Sequence, residues 1–126
     1  MILGMGNLAV KVADMDEAVA FYERAGGVVR DRMTWRGAER ADVHLGPVLV
    51  TLFTRAIYED ALEAPGEGFL HLALFTDDLD AELEGHDVLW GPAEVEGTFG
   101  TRRIAFVRAP GGFRLEFMEQ LEDPHP

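Results

Sequence analysis

Two residues in this chain have the chemistry of a reactive site and sit where apolar side chains would be expected. His71 interrupts the strand-like run "GFLHLALFTDD", residues 68–78. Glu116 interrupts "FRLEFME" near the end of the sequence. A buried carboxylate needs a partner, because an uncompensated charge away from water is costly. An imidazole and a carboxylate together can act as an acid–base pair or as ligands to a divalent cation. The alternative for both is a structural His–Glu hydrogen bond.

Strand alternation places the two side chains. In the stretch around His71, Leu70, Leu72 and Leu74 share one face, and His71, Ala73 and Phe75 share the other. Around Glu116, Leu115 and Phe117 form the apolar face, and Arg114, Glu116 and Met118 the opposite one. The leucine-rich faces make the better core, so His71 and Glu116 point away from it. In "VLVTLFT", Val48, Val50 and Leu52 form the buried face, leaving Leu49, Thr51 and Phe53 on the other. In "RADVHLG", Val43 and Leu45 belong to the core, which puts Asp42 and His44 on the open side. His44 is therefore a further candidate imidazole. Trp35, Phe53 and Phe75, with Tyr58, Trp90 and Phe99, could line a pocket. Arg114 and Arg103 could neutralise an anionic substrate or simply pair with surface acid.

The elements that carry these residues occur twice. A strand Asn7–Val12 leads into "DMDEAVAFYERAGG", where Asp14 and Glu17 have capping-box spacing and Met15, Ala18, Val19 and Tyr22 form one stripe. Gly26 and Gly27 end the helix. Strands over about Val28–Trp35, Arg40–Leu45 and Val48–Thr54 follow. The second half repeats the order. "FLHLALFT" is a strand, and "DDLDAELEGHD" is a short helix capped by Asp77 or Asp78. Strands follow within Val88–Phe99, over Arg102–Arg108 and over Phe113–Gln120. Pro110 and Gly111 fit the centre of a type II turn. Asn7 and His71 lie 64 apart, as do Asp14 and Asp78; Thr51 and Glu116 lie 65 apart. The expected fold is α+β, two tandem βαβββ modules forming a curved mixed sheet around a cleft. Residues 1–126 make one domain: module 1 over about 5–57, a linker over 58–67, and module 2 over about 68–120. His86 and His125 fall in a loop and the tail and receive no role.

Composition narrows the function classes. The 126-residue chain has a formal net charge of −12, which disfavours nucleic acid and anionic membrane surfaces and would attract a cationic small molecule. It has no cysteine, so disulfides and thiolate metal sites are excluded; this suits the cytoplasm. It has no serine, so a serine triad is excluded. No apolar run reaches the roughly 20 residues of a membrane-spanning helix, and the first residues lack signal-peptide features.

The segments "NLAVKVADMDEAVAFYERAGG", "HLALFTDDLDAEL" and "RRIAFVRAPGGFRLEFME" resemble the vicinal oxygen chelate superfamily, which includes glyoxalases, bleomycin resistance proteins and extradiol dioxygenases. Ala109 stands where the family's turn usually has aspartate. The resemblance implies a glyoxalase-like fold and a homodimer. It also implies a ligand set at Asn7, Thr51, His71 and Glu116. Of these, only His71 and Glu116 are residue types that commonly bind divalent metals. The implied cofactor is one divalent ion (Fe, Mn, Ni or Zn) or none. Two readings stay open. One is an enzyme of lyase, isomerase, cyclase or dioxygenase-like type, with an incomplete metal site, acting on a small oxygenated molecule. The other is a metal-free protein that binds and sequesters a drug or small molecule. In either, Asn7, Thr51, His44, Trp35, Phe53, Phe75 and Arg114 contact the ligand.

Overall fold

The computed structural model describes residues 1–124; His125 lies outside the described residues. The elements in chain order are β1 (Ile2–Lys11), α1 (Met15–Arg24), β2 (Val28–Trp35), β3 (Ala38–Leu45), β4 (Val48–Phe53), β5 (Gly68–Thr76), α2 (Leu79–Leu83), β6 (Val88–Gly97), β7 (Gly100–Arg108) and β8 (Arg114–Glu122). This is strand–helix–strand–strand–strand, used twice. Among the described residues no helix is long and apolar enough to cross a membrane. By contacts the chain divides into two compact units. Residues 7–70 form one. Residues 1–6 join residues from 71 onward to form the other.

In the Asn7–Leu70 unit the strands run β2-β3-β4-β1. Neighbours β2, β3 and β4 are antiparallel, while β1 is parallel to β4, with Leu8 opposite Val50 and Ala9 opposite Thr51. The parallel pairing requires a crossover, and α1 belongs to it. Asp14 caps α1 by accepting the Glu17 N–H at 3.0 Å. The predicted stripe packs as its spacing requires: Met15 and Val19 are buried with Ala41, Val43, Val50 and Leu52, and Ala18 and Tyr22 close the edge. Burying side chains of this size contributes about 1.5–3 kcal/mol each. After α1, a Cβ on Gly27 would lie 2.8 Å from the Tyr22 carbonyl, so only glycine allows this close return of the chain.

In the other unit the strands run β5-β8-β7-β6. β5 is parallel to β8, with Leu72 opposite Leu115 and Ala73 opposite Glu116. These pairs repeat those of β1 and β4, displaced by the same 64 and 65 residues. Asp78, rather than Asp77, caps α2, accepting the Ala81 N–H at 3.2 Å. Leu79 of α2 packs with Ala105, Val107 and Phe117, joined at the margin by Leu74, Leu83 and Leu115. The apolar faces of β5 and β8 therefore carry this core. Between β7 and β8, Gly112 N–H donates to the Ala109 carbonyl at 2.9 Å and Gly111 has φ of 96°, as the expected type II turn requires.

Two details differ from expectation. β1 begins at Ile2 and ends at Lys11, so residues 2–6 belong to the strand expected over Asn7–Val12. A Cβ on Gly6 would run into Met118 and come within 3.2 Å of the Ala73 carbonyl. This glycine permits a close backbone approach that local propensity does not reveal. Val48, assigned to a buried face, is 37% exposed, because it opens β4 next to the Gly46-Pro47 turn.

Residues 58–67 contain neither helix nor strand, yet the segment is tied down. Tyr58 is fully buried. Glu59 receives the Lys11 ammonium at 2.7 Å and the Ala56 N–H at 2.5 Å. Burial alone would raise the Glu59 carboxyl; the Lys11 hydrogen bond and charge, the Ala56 N–H and Arg55 outweigh it and hold the group below its ordinary 4.5. A carboxylate depressed in the folded state stabilises at neutral pH, and that contribution is lost as pH falls through its folded-state value. Glu59→Gln should therefore lower the melting temperature at pH 7. The difference from the wild type should shrink as pH falls below the ordinary 4.5 and close once it passes the lower folded-state value, as followed by thermal unfolding across pH.

Candidate functional site

β5 and β8 carry His71 and Glu116. His71 Nε2 lies 3.2 Å from Glu116 Oε1, at the outer end of hydrogen-bond range. Both residues are buried, at 4% and 7% exposure. The pairing follows from register. Glu116 stands opposite Ala73, two residues along β5 from His71 and on the same face. On its other side Glu116 is opposite Phe106 of β7. The Phe106 ring meets the imidazole edge-on at 4.8 Å and packs against Trp90 at 5.8 Å. An imidazole and a carboxylate are thus held together against an aromatic wall. Phe106 escaped the sequence reading, although its position opposite Glu116 follows once the β7–β8 register is known.

The other unit holds a second buried polar group. Asn7 Nδ2 donates to Thr51 Oγ1 at 2.6 Å, and Thr51 Oγ1 donates to Asp42 Oδ1 at 2.9 Å. Arg40 closes the chain on Asp42, at 3.2 Å to Oδ1 and 3.3 Å to Oδ2. All four residues are buried. The direction of the chain is fixed chemically. An ionised carboxylate only accepts, so the Thr51 hydroxyl must donate to Asp42 and accept from the Asn7 amide. Asn7 Oδ1 is then turned away from Thr51, and it is buried with no hydrogen-bond partner among the described residues.

The remaining candidates are distributed between the units. Trp35 and Phe53 approach each other at 6.1 Å, and the Arg40 guanidinium lies within 6 Å of both rings. His44 is on the face of Arg40 and Asp42 and opposite Leu49, and its side chain has no hydrogen-bond or ion-pair partner among the described residues. Phe75 is covered by Arg102, whose guanidinium lies 5.0 Å from its ring. Arg114 opens β8 opposite Arg108. Tyr58 belongs to the core, Trp90 to the Phe106 wall, and Phe99 packs against Arg102 at 4.4 Å. Arg103 holds Asp80 at 2.8 Å. Arg40 and Asp42 carry no expected role from the sequence. The signal was present in the two-residue alternation that joins them to His44.

The donor set does not fit a divalent ion. His71 and Glu116 are two donors facing each other. The Thr51 hydroxyl is engaged on both sides, and the Asn7 oxygen is a neutral amide. Among the described residues no three of His, Asp or Glu are gathered as a metal-binding group.

The description of the Glyoxalase/Bleomycin resistance protein/Dioxygenase superfamily matches residues 4–117, and the chain belongs to this family. Its tandem βαβββ modules are the glyoxalase-like fold. A lactoylglutathione lyase of Arabidopsis thaliana is 27% identical over 130 residues, covering 95% of this chain and 45% of that protein. The chain thus spans about half the length of this curated relative. A variant of Streptomyces coelicolor methylmalonyl-CoA epimerase in complex with 2-nitronate-propionyl-CoA superposes with a TM-score of 0.73. It is 24% identical, with 97% of this chain and 100% of that chain covered. The 2,2′,3-trihydroxybiphenyl 1,2-dioxygenase of Sphingomonas wittichii superposes with a TM-score of 0.61 at 26% identity, covering 91% of this chain and 41% of that one.

The buried chain from Asn7 to Arg40 should be costly to break. Asp42→Ala removes the carboxylate from a buried guanidinium and should destabilise by about 3 kcal/mol. Thr51→Val removes one hydroxyl from the same chain and should cost about 1–2 kcal/mol. Urea unfolding of the two variants checks both values and their order.

Proposed function

We propose that this protein is an enzyme of lyase or isomerase type, in which His71 and Glu116 form an acid–base pair acting on a small oxygenated organic molecule. The observation that carries this reading is the pair itself: an imidazole nitrogen and a carboxylate oxygen 3.2 Å apart, both buried, on adjacent parallel strands. The names of the relatives, a lyase and an epimerase, agree with it.

The chemistry follows from the two groups. A carboxylate can remove a proton from a carbon beside a carbonyl, and the imidazole can donate one to the developing oxyanion. Return of the proton to the same carbon, or to its neighbour, completes an isomerisation. Burial against Phe106 and Trp90 limits water around the pair and strengthens its electrostatic effect. Asn7, Thr51 and the aromatic residues Trp35 and Phe53 would contact the ligand, and Phe75, Arg114 and His44 are further candidates for that role. No metal step is required. The cysteine-free chain suits the cytoplasm.

A second reading, a metal-free binding protein that sequesters its ligand, is favoured by the Asn7–Thr51–Asp42 chain. There the polar groups are committed to one another.

Hydrogen–deuterium exchange separates the two readings. Methylmalonyl-CoA and a panel of small hydroxy and keto acids are incubated with the protein in D2O and followed by NMR. Enzyme-dependent exchange of one C–H is expected. It should be slowed by about 10²–10⁴-fold in His71→Ala and in Glu116→Gln. Undiminished exchange in both variants refutes the acid–base assignment, and tight binding without exchange favours sequestration.

We also infer a homodimer. Leu3 and Met5 lie on one face of β1 and are 62% and 48% exposed, an apolar pair that a second copy could cover. Light scattering should give a dimer mass for the wild type and a monomer mass for the Leu3→Asp, Met5→Asp double variant.

A further inference from the structure

The turn between β2 and β3 has two residues, Arg36 and Gly37, with Trp35 opposite Ala38 at its base. Both turn residues have positive φ, 52° and 77°. This is the arrangement of a type I′ hairpin, whose first central position favours Asn, Asp or Gly. Arginine there carries backbone strain, and such strain persists where something else requires the residue.

The turn edges a cavity of about 310 Å³, lined by Trp35, Arg36, Ala38, Arg55, Ala56, Ile57 and Asp60. That volume is at the lower end of the range for small-molecule pockets. Its walls combine an indole and aliphatic surface with two guanidinium groups. The charges around it do not cancel. Asp42 is held by Arg40, and Asp60 holds one nitrogen of Arg55 at 2.6 Å. Arg36 lies 5.9 Å from the Trp35 ring and has no carboxylate partner among the described residues. In a chain of net charge −12, an arginine without an acid at the mouth of a cavity is a local positive site. Arg55 retains further N–H donors beyond the nitrogen used by Asp60.

We propose that this cavity is a binding site for a small carboxylate with a flat apolar body. The carboxylate would be received by Arg36 and Arg55, and the body would lie against Trp35, Ala56 and Ile57. Carboxylate and guanidinium match as two parallel hydrogen bonds, which inorganic phosphate or a neutral alcohol on the same ring would not reproduce with the apolar contact. The site lies wholly within the Asn7–Leu70 unit and uses neither His71 nor Glu116. It shares Trp35 with the ligand contacts proposed above, but rests on no part of the acid–base pair.

The test uses benzoate as the probe, with benzyl alcohol and inorganic phosphate as comparisons. Binding is followed through the two indole N–H signals of the ¹⁵N-labelled protein, Trp35 being assigned by Trp35→Phe. Benzoate should shift the Trp35 signal saturably and bind at least about tenfold more tightly than either comparison. Arg36→Asn should weaken benzoate binding by about tenfold or more. Because it places a favoured residue in the strained turn, it should also raise the melting temperature by about 2–5 °C. The His71→Ala, Glu116→Gln double variant should bind benzoate as the wild type does. Absence of a saturable shift, equal binding of benzyl alcohol or phosphate, or unchanged benzoate affinity in Arg36→Asn overturns the proposal.

Discussion

In each module the first strand lies parallel to the last, and the rest of the structure depends on that constraint. Parallel neighbours cannot be joined by a hairpin. The chain must leave the sheet, form a helix over one face and return. That face is then fixed as apolar, which is why Val50 and Leu52 meet α1 while Leu79 of α2 meets the core around Phe117. The opposite face is freed from supplying that core. Polar side chains on it meet across the same pair of strands, Thr51 beside β1 and Glu116 beside β5.

The two copies use that freedom differently. The later module keeps a titratable pair, His71 with Glu116. The earlier one holds an amide, a hydroxyl, a carboxylate and a guanidinium, each hydrogen-bonded or ion-paired to the next. The contrast is between groups that can exchange a proton and groups that hold one another still. A buried polar chain is tolerable only when its members are partnered. Asn7 Oδ1 is the departure from that rule.

Much of this was legible in the sequence. Spacings of 64 and 65 residues predict the duplicated register, and the pairs Leu8–Val50 and Leu72–Leu115 follow it. The stripe Met15, Ala18, Val19 and Tyr22 gave the buried face of α1, and alternation gave the faces of His71 and Glu116. Alternation fixes a face and not a partner, however. It put Asp42 on the open side without indicating that Arg40 would neutralise it or that Thr51 would bind it. The Thr51 contact depends on which residues the β3–β4 ladder sets opposite each other, while Arg40 reaches Asp42 from two residues away on β3 itself. The first residues of β1 were missed for a related reason. "ILGMG" has two glycines and weak strand character by itself, and the pairing that orders it comes from residues far along the chain.

The placement of residues 1–6 has a consequence for how the polypeptide can be divided. They pack with residues from 71 onward: Gly6 fits against Ala73 and Met118, the Met1 carbonyl accepts from Thr76, and the Met1 amine meets Asp77 and Glu82. A scission anywhere in 58–67 would therefore strand this hexapeptide on the wrong fragment. The duplication in the sequence is tandem, but along the chain one cohering piece is inserted within the other. Residues 7–70 form an uninterrupted stretch, whereas the other unit is drawn from both sides of it.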